Sequence, residues 1–203
     1  SGHAIIQVNR EGENAIILFG GANRQITTAD AERVVARFSK GDYILLQNEV
    51  SAMPDIIRRA HEQGLTVVLN PAPMDAQVLE YPLGLVDMFI VNEIEGAELS
   101  GEQETAQVLD AMVGKFPKAA TVLTLGSKGA RYGKGDARLR VDAEKVKPVD
   151  TTAAGDTFIG YFLADIAAGK DAETALKTGC RAAAVCVTRL GAASSIPKRE
   201  EVQ

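Results

Sequence analysis

A helix start and a cluster of small residues lie in one short run, Asp150-Thr151-Thr152-Ala153-Ala154-Gly155-Asp156-Thr157-Phe158. Ala153, Ala154 and Gly155 leave backbone N–H groups uncovered, and a helix N-terminus carries partial positive charge, so the run predicts an anion-binding turn. Asp156 stands in the first turn, where the helix dipole favours its charge and its oxygens can accept a proton. Phosphoryl transfer needs these two features, donors for the phosphoryl oxygens and a base for the attacking hydroxyl. The plainer alternative is an Asp-Thr turn before an ordinary capped helix.

Length and composition indicate one globular domain. The chain has 203 residues, of which 46% are hydrophobic and 24% charged, enough for a sizeable core. The net charge of −5 and the absence of a Lys/Arg cluster argue against a nucleic-acid partner. No run approaches the roughly 18 apolar residues of a membrane span, and the start Ser1-Gly2-His3-Ala4 is unlike a signal peptide. Cys180 and Cys186 have neither zinc-site nor redox-pair spacing, which favours a reducing, cytoplasmic setting.

Short apolar runs alternate with amphipathic stretches along the chain. Four runs lack polar alternation, as strands buried on both faces do: 43–46, 66–69, 88–91 and 121–125. Helical periodicity is found over 29–38, 54–63 and 105–116. The apolar residues expected on the inner faces of these three helices are Val34, Val35 and Phe38, then Ile56, Ile57 and Ala60, and then Val108, Leu109, Met112 and Val113. A hairpin of residues 4–8 and 15–19, with a polar tip at 9–14, precedes them. This order predicts an α/β fold with a Rossmann-like, doubly wound, mostly parallel sheet and a short N-terminal β-hairpin.

Polar, glycine- or proline-containing tips follow the four predicted strands. They are Gln47-Asn48-Glu49, Asn70-Pro71-Ala72-Pro73, Asn92-Glu93-Ile94-Glu95 and Gly126-Ser127-Lys128-Gly129. Because ligands of such sheets bind beyond the carboxyl ends of the strands, these tips and the Asp156 turn predict one binding rim. Gly20-Gly21-Ala22-Asn23 is a candidate sugar-binding loop, but its place directly after a hairpin strand favours an ordinary tight turn. P-loop, protein-kinase and dinucleotide motifs are absent, and neither His3 nor His61 has a partner for a catalytic triad or a zinc site.

The ordered set of motifs resembles the ribokinase family of carbohydrate kinases, also called the PfkB family. Its most specific piece is the segment from Asp150 to Gly160, which is similar to the second signature of that family. The strand tips follow in the family's order, as does the tail from Ala182 to Ala192 that Ser195-Ile196-Pro197 closes. The resemblance implies a ribokinase-like domain over residues 1–203, with residues 1–20 as the remnant of a lid. It also implies ATP-dependent phosphorylation of a sugar hydroxymethyl group, with ribose as the leading substrate.

The resemblance further implies roles for single residues around the reacting groups. Asp156 would be the general base and would contact the sugar, and the amides from Ala153, Ala154 and Gly155 to Asp156 would form the anion hole. Glu49 would bind the sugar. The residues expected to bind the nucleotide are Asn92, Thr124, Gly126, Ser127, Lys128, Gly129, Gly155 and Cys180, the last beside the adenine.

Two cations are implied in the same way. Asn92 and Glu95 match a family motif that holds Mg²⁺ and phosphate largely through water. A K⁺ activator would be held, partly by backbone carbonyls, by Asp150, Thr152, Cys186, Arg189, Gly191 and Ser195. A plainer interpretation stays open for the weaker members, since Cys180 and Cys186 also suit a packed helix and Ser195 suits a loop.

Two departures from the family leave alternatives open. Tyr161 stands where the family signature has a small residue, which predicts crowding behind the anion hole. Ser1 to Ala4 resembles a lid strand from well inside a family member, so we expect an uncovered apolar flank on the sheet. A fragment, one piece of a split protein and a natural truncation all fit this start. The chain would then be a sugar kinase, a kinase for another sugar or nucleoside, or a non-catalytic nucleotide-binding domain, and the lid would allow a homodimer.

Overall fold

The computed structural model describes residues 1–8 and 14–202, which form two compact units, Ser1–Val86 and Asp87–Gln203. The predicted hairpin tip at 9–14 lies outside the described residues except for Asn14, where the second strand begins. None of the helices in the described ranges is long and apolar enough to cross a membrane. The predicted boundaries, one domain over 1–203 with a lid over 1–20, stay a prediction.

The first unit begins with the predicted hairpin. β1 (His3–Val8) and β2 (Asn14–Phe19) pair in antiparallel fashion, with Ile5 opposite Ile17. Opposed residues share a face of the sheet, and so do residues two positions apart on a strand. Ile5, Ile17 and Phe19 therefore lie on one face, where they are 54%, 58% and 60% exposed. The hairpin presents an apolar face to solvent.

Two parallel strands joined by a helix form the core of the first unit. β3 (Tyr43–Gln47) and β4 (Thr66–Asn70) pair in parallel, and α2 (Met53–Gln63) connects them. The residues predicted for the inner face of α2 are all buried: Ile56, Ile57 and Ala60. The helix ends where Gly64 takes a left-handed conformation with φ 79°, which glycine adopts at low cost.

Helix α1 (Thr28–Val35) is shorter than the predicted stretch 29–38. Phe38 lies beyond its end, in a turn where the Phe38 amide donates to the Val35 carbonyl at 3.0 Å. Val35 is buried as predicted, but Val34 and Phe38 are 48% and 45% exposed. The predicted inner face was therefore wrong for these two residues. Phe38 lies beyond the end of the helix, and Val34, although inside it, faces solvent because the buried face of α1 is formed by Ala31 and Val35.

Strand β3 also departs from the pattern of burial on both faces. Tyr43 and Leu45 are 39% and 46% exposed, whereas Leu46, on the opposite face, is buried. These exposed side chains supply the uncovered apolar flank that the sequence predicts. Burial on both faces is confirmed for β4, in which 67–70 are all buried.

The second unit begins with another strand–helix–strand arrangement. β5 (Met88–Val91) and β6 (Ala120–Thr124) pair in parallel, with α3 (Glu93–Ser100) and α4 (Thr105–Lys115) between them in the chain. The whole of β5 is buried, and the apolar residues predicted for α4 are buried as well: Val108, Leu109, Met112 and Val113. Parallel strands with helical connections in both units confirm the α/β class.

An antiparallel hairpin that the sequence analysis missed completes the second unit's strands. β7 (Ala130–Lys134) pairs with β6, and β8 (Ala137–Val141) pairs with β7. The sequence signal for this hairpin is the Gly135-Asp136 turn between the two strands, in which Gly135 has φ 51°. Gly133 lies against α4, where an added Cβ would come within 2.8 Å of Val113.

Two packed helices close the second unit. α5 (Ala154–Ala167) begins at the predicted helix start, and Gly169 follows its end at φ 80°. α6 (Ala172–Cys186) packs against α5, with Gly179 lying so close to Phe158 that an added Cβ would come within 2.9 Å of its ring. This packing fixes the position of the α5 N-terminus.

Candidate active site

The N-terminus of α5 has the geometry of an anion nest. Ala153 takes a left-handed conformation (φ 61°, ψ 10°), and Ala154 directly after it begins the helix. A left-handed residue next to right-handed ones turns successive N–H groups toward the same point. Such a conformation costs a non-glycine residue roughly 1–2 kcal/mol, and strain of this kind clusters at functional sites. No side chain caps this end of the helix. The Ala154 amide donates to the Thr151 carbonyl at 3.3 Å, and the amides of Gly155 and Asp156 are left for an external acceptor.

Asp156 stands in the first turn of α5 with its side chain exposed. Among the described residues its carboxylate makes no hydrogen bond or ion pair. Asp165 on the same helix differs in both exposure and pairing. It is 1% exposed, and its carboxylate pairs with Arg199 and, at 3.2 Å, with Lys170. Of these two carboxylates, only that of Asp156 is available to an incoming hydroxyl.

Asp150 joins the segment before α5 to the loop after α6. Its Oδ1 accepts from the Thr152 amide at 2.9 Å, and its Oδ2 accepts from the Gly191 amide at 3.0 Å. Hydrogen bonds from Thr152, and then from Gly191, hold the pKa of the Asp150 carboxyl below its usual range. The backbone carbonyl of Val187 accepts from the Asp150 amide at 3.2 Å. The structure thus brings Asp150, Thr152 and Gly191 together, as the predicted cation site requires.

Cys186 and Ser195 lie at the same junction. The Cys186 sulfur is 3.1 Å from the Ser195 hydroxyl and 3.8 Å from the Thr152 carbonyl oxygen. The Ser195 hydroxyl donates to the Ala192 carbonyl at 2.6 Å. One carboxylate among neutral hydroxyl and carbonyl oxygens suits a monovalent cation. In the ranges 1–8 and 14–202, three or more His, Cys, Asp or Glu side chains nowhere form a metal-binding group.

The Arg189 side chain takes no part in this cluster. Its guanidinium pairs with the Glu201 carboxylate, and that hydrogen bond raises the pKa of Arg189. A guanidinium has no acceptor for a cation, so only the backbone carbonyl of Arg189 could serve as a ligand. The predicted role of Arg189 in cation binding stays a prediction.

A reciprocal capping box fixes Asn92 and Glu95 at the start of α3. The Glu95 amide donates to Asn92 Oδ1 at 2.9 Å, while the Asn92 amide and side chain donate to Glu95 at 3.0 and 2.9 Å. Glu95 is only 6% exposed, so its charge is held near the positive end of the helix. With both carboxylate oxygens engaged in this way, a cation would be held through water more readily than directly.

The predicted nucleotide-binding tip follows β6 as a tight turn over Gly126–Lys128. The Thr124 hydroxyl donates to the Val91 carbonyl at 3.3 Å and so links the ends of β6 and β5. Gly126 has φ 53° and no atom within 4 Å of an added Cβ, whereas a Cβ on Gly129 would lie 2.0 Å from a backbone oxygen. Gly126 therefore faces open space, while Gly129 is required by the packing. Lys128, its ammonium 3.6 Å from the Glu93 carboxylate, extends from the same turn.

Cys180, placed beside the adenine by the resemblance, is 7% exposed within α6. Burial, with further contributions from the charges of Glu144 and Asp142, raises the pKa of its thiol to about 11. The thiol is therefore neutral at physiological pH and behaves as a small apolar group. Its side chain fits the plainer interpretation of a packed helix residue, and contact with adenine stays a prediction.

A separate cavity of about 620 Å³ lies in the first unit, between the hairpin and the end of β3. Glu49 lines it together with Asn48 and Pro73, so two of the predicted tips meet there. The turn at Gly21–Gln25 is tight, as predicted, yet its Asn23 and Arg24 line the same cavity. The Gly-Gly-Ala-Asn composition of this segment is the sequence signal for a cavity-lining loop.

The Tyr161 side chain contacts the C-terminal segment. Its hydroxyl donates to the Pro197 carbonyl at 2.6 Å, and the Arg199 guanidinium lies 5.6 Å from the centre of its ring. The large side chain therefore packs against the C-terminal segment, and the crowding behind the anion hole stays a prediction.

Comparisons with known proteins agree with this architecture. The family model described as pfkB family carbohydrate kinase matches residues 1–199. Ribokinases of Schizosaccharomyces pombe and Staphylococcus aureus are 38% and 37% identical to the chain over all of its length and 66% and 68% of theirs. The solved ribokinase of Thermotoga maritima has a TM-score of 0.81 at 35% identity, covering 100% of this chain and 68% of that one. The Arabidopsis thaliana ribokinase complexed with ribose and ATP has a TM-score of 0.83 at 29% identity, covering 99% and 67%.

The chain thus spans about two thirds of the length of these relatives. The structural likeness confirms the predicted ribokinase-like fold. Both the family model and the identity to ribokinases extend over nearly all of the sequence, including every predicted site residue. The chain belongs to the pfkB family of carbohydrate kinases.

Proposed function

We propose that this chain carries the machinery that transfers the γ-phosphoryl group of ATP to the hydroxymethyl group of a sugar, with ribose as the first candidate. The observation that carries the proposal is the left-handed Ala153 at an uncapped helix start, followed in the first turn by the exposed Asp156. Similarity to ribokinases, one of them complexed with ribose and ATP, supports ribose as the acceptor.

Asp156 acts as the general base. Its carboxylate takes the proton from the sugar hydroxyl as that oxygen attacks the γ-phosphorus, and the bond to the β,γ-bridging oxygen breaks to leave ADP. The amides of residues 153–156 donate to the phosphoryl oxygens as charge redistributes over them. Glu49, exposed in the cavity of the first unit, accepts hydrogen bonds from the sugar hydroxyls.

The nucleotide binds along the second unit. Thr124 and the turn 126–129 line it, with Cys180 flanking the adenine, and the open space at Gly126 leaves room for phosphate or ribose. Asn92 and Glu95 hold Mg²⁺ and phosphate through water, in keeping with carboxylate oxygens that are already engaged. Bound Mg²⁺ neutralises phosphate charge during transfer.

A K⁺ ion would be held where the segment before α5 meets the loop after α6. Its ligands would come from Asp150, Thr152, Cys186, Gly191 and Ser195, with the backbone carbonyl of Arg189. This proposal rests on the donor set, in which a single carboxylate bridges two loops beside the nest. K⁺ bound there would supply positive charge near the anion nest.

We also propose a homodimer formed through the apolar hairpin face of Ile5, Ile17 and Phe19. The free, buried thiols of Cys180 and Cys186 suit a reducing compartment such as the cytoplasm. Neither a nucleic acid nor a membrane is a proposed partner. Sedimentation tests the dimer, and fractionation of cells that express the chain with a fluorescent tag tests the compartment.

Calorimetry and a coupled ADP-release assay test the function. The chain should bind ATP in a Mg²⁺-dependent manner and release ADP fastest with ribose in a panel that includes deoxyribose, fructose and a nucleoside. Faster turnover of another member of the panel would favour a different sugar or nucleoside kinase. Nucleotide binding without turnover on any acceptor, also in a chimera that adds the family's N-terminal part, would favour a non-catalytic nucleotide-binding domain. No Mg²⁺-dependent ATP binding would contradict both.

A further inference from the structure

Asn48 is a buried polar residue in the wall of the proposed sugar-binding cavity. It follows β3 and is 1% exposed. Its backbone amide donates to the Ala72 carbonyl at 2.8 Å, and its side-chain Nδ2 donates to the Pro73 carbonyl at 2.8 Å. Its Oδ1 accepts from the Tyr81 hydroxyl at 2.6 Å. A buried amide with partners on both its oxygen and its nitrogen holds its neighbours in a defined geometry.

The Tyr81 hydroxyl supplies the third hydrogen bond of this network. Tyr81 is 7% exposed, and burial, with the nearby charge of Asp75, raises the pKa of its hydroxyl above the ordinary value. The hydroxyl therefore stays protonated and donates to Asn48 throughout the physiological range. Tyr81 does not line the cavity, whereas Asn48 and Pro73 do. The hydrogen bonds thus support the cavity wall without occupying the space that a ligand would use.

Hydrogen bonds fix the chain on both sides of Glu49. On one side, Asn48 bonds to Pro73, which forms one wall of the cavity. On the other side, the Ser51 amide donates to the Asn23 carbonyl at 3.0 Å, and Asn23 lines the cavity as well. The exposed Glu49 carboxylate therefore projects from a backbone that is fixed to two parts of the cavity lining.

We propose that Asn48 is a positioning residue for the sugar site, which sets the distance between the Glu49 carboxylate and the Pro73 wall. The proposal rests on the proposed role of Glu49 in sugar binding. Asn48 acts through Pro73 and Tyr81, so its loss should weaken sugar affinity and leave nucleotide affinity unchanged, because the predicted nucleotide residues all lie after Asp87.

Asn48→Asp tests the tie to Pro73 because it keeps the shape and the acceptor for Tyr81 but removes the Nδ2 donor. At pH 8, calorimetry with D-ribose should give a dissociation constant raised about tenfold, as expected for one lost buried hydrogen bond, with that for ATP within about twofold of wild type. Burial raises the pKa of the introduced carboxyl, and its protonated form can again donate to Pro73. Lowering the pH to about 5.5 should therefore restore much of the ribose affinity in this variant only.

Tyr81→Phe removes the second hydrogen bond and should weaken ribose binding about threefold, since it leaves the tie to Pro73 in place. Tyr132→Phe, on β7, is the matched control and should leave the dissociation constants for ribose and ATP unchanged. Unaltered ribose affinity in Asn48→Asp at pH 8, or an equal loss of ribose and ATP affinity, would overturn the positioning role.

Hydrogen–deuterium exchange separates this proposal from the proposed function. Asn48→Asp should speed exchange of the amides in 49–51 and of Ala72 and Met74, while the second unit exchanges as in wild type. If the wild-type chain binds no sugar, the proposed function fails, and this localised exchange still shows that Asn48 fixes the cavity wall. Unchanged exchange in those segments would overturn the inference, whatever the chain binds.

Discussion

The Asp150 carboxylate accepts a hydrogen bond from the Gly191 amide at 3.0 Å, although 41 residues separate them in the chain. The same carboxylate accepts from the Thr152 amide at 2.9 Å, one residue before the left-handed Ala153. One side chain thus joins the loop after α6 to the anion nest at the start of α5. The position of the nest depends on this tertiary contact as well as on the local turn.

Replacing Asp156 by Asn should abolish most phosphoryl transfer while leaving ATP affinity nearly unchanged. The change keeps the size and one acceptor oxygen but removes the base, and general-base catalysis is typically worth about 10²- to 10⁴-fold in rate. A coupled ADP-release assay with ribose, in the chimera that adds the family's N-terminal part, measures the loss. Asp136→Asn, in the exposed β7–β8 turn, is the matched control. Near-normal turnover in Asp156→Asn would contradict the mechanism.

Replacing Gly126 by Leu should weaken Mg²⁺-dependent ATP binding by at least about tenfold, because the new side chain fills open space proposed for the nucleotide. Gly135→Leu is a close control, since Gly135 has a similar φ (51° against 53°) and equally open surroundings. Both variants carry the strain of a left-handed non-glycine residue, so a difference in ATP affinity between them reports on the site. Equal affinities would place the nucleotide elsewhere.

Replacing Asp150 by Ala should remove activation by K⁺. The variant loses the one carboxylate of the proposed cation site, together with the hydrogen bonds that this carboxylate accepts from the Thr152 and Gly191 amides. Rates of ADP release measured over a K⁺ titration, with Na⁺ at constant ionic strength as the reference, give the activation ratio. A variant that K⁺ still activates like wild type would rule out Asp150 as a ligand.

The same carboxylate should make stability depend on pH. Its pKa is lowered in the folded protein, so its contribution is fully present above the ordinary aspartate pKa of about 3.9 and is lost as pH falls through the folded value. Asp150→Ala should therefore be less stable than wild type at pH 7, and the difference should shrink below about pH 4. Urea unfolding at several pH values measures it, and a difference that is constant with pH would show that the carboxylate charge contributes nothing.

The apolar hairpin face should govern self-association. Ile17→Glu places a charge among Ile5 and Phe19 and should shift sedimentation toward the monomer by at least about tenfold in dissociation constant. Leu79→Glu, at a residue of the first unit that is 47% exposed and lies outside the hairpin, should leave association unchanged. A monomeric wild type at micromolar concentration, or an unaffected Ile17→Glu dimer, would contradict the proposed lid interface.

Much of the fold could be predicted because its signals are local. The inner faces of α2 and α4 follow from apolar residues spaced by a helical turn, which any tertiary arrangement must bury. Asp156 lies in the first turn of α5 because the small residues before it and the apolar positions after it are neighbours in sequence. Asn92 and Glu95 of the capping box are only three positions apart, so this pair is predictable from the sequence as well.

The contacts that complete each site come from residues distant in sequence. Asn48 meets Pro73 and Tyr81 only because β3 and β4 pair in register and their following loops return to the same end. Tyr161 donates its hydrogen bond to Pro197 only because α5 and the C-terminal segment pack together.

Burial and strand pairing were decided by the same kind of contact. Leu45 has the apolar character of a core residue, yet it is 46% exposed, because exposure depends on which elements pack over a strand and no local pattern encodes that. β7 was not predicted, because its evidence is tertiary. It pairs with β6, and its Gly133 lies against α4 with no room for a side chain. The sequence by itself determined which segments form helices and strands and where the proposed chemistry starts, because those features arise from residues within a few positions of one another. Only the tertiary structure decided which side chains are available to a ligand, because availability depends on neighbours brought in from distant parts of the chain.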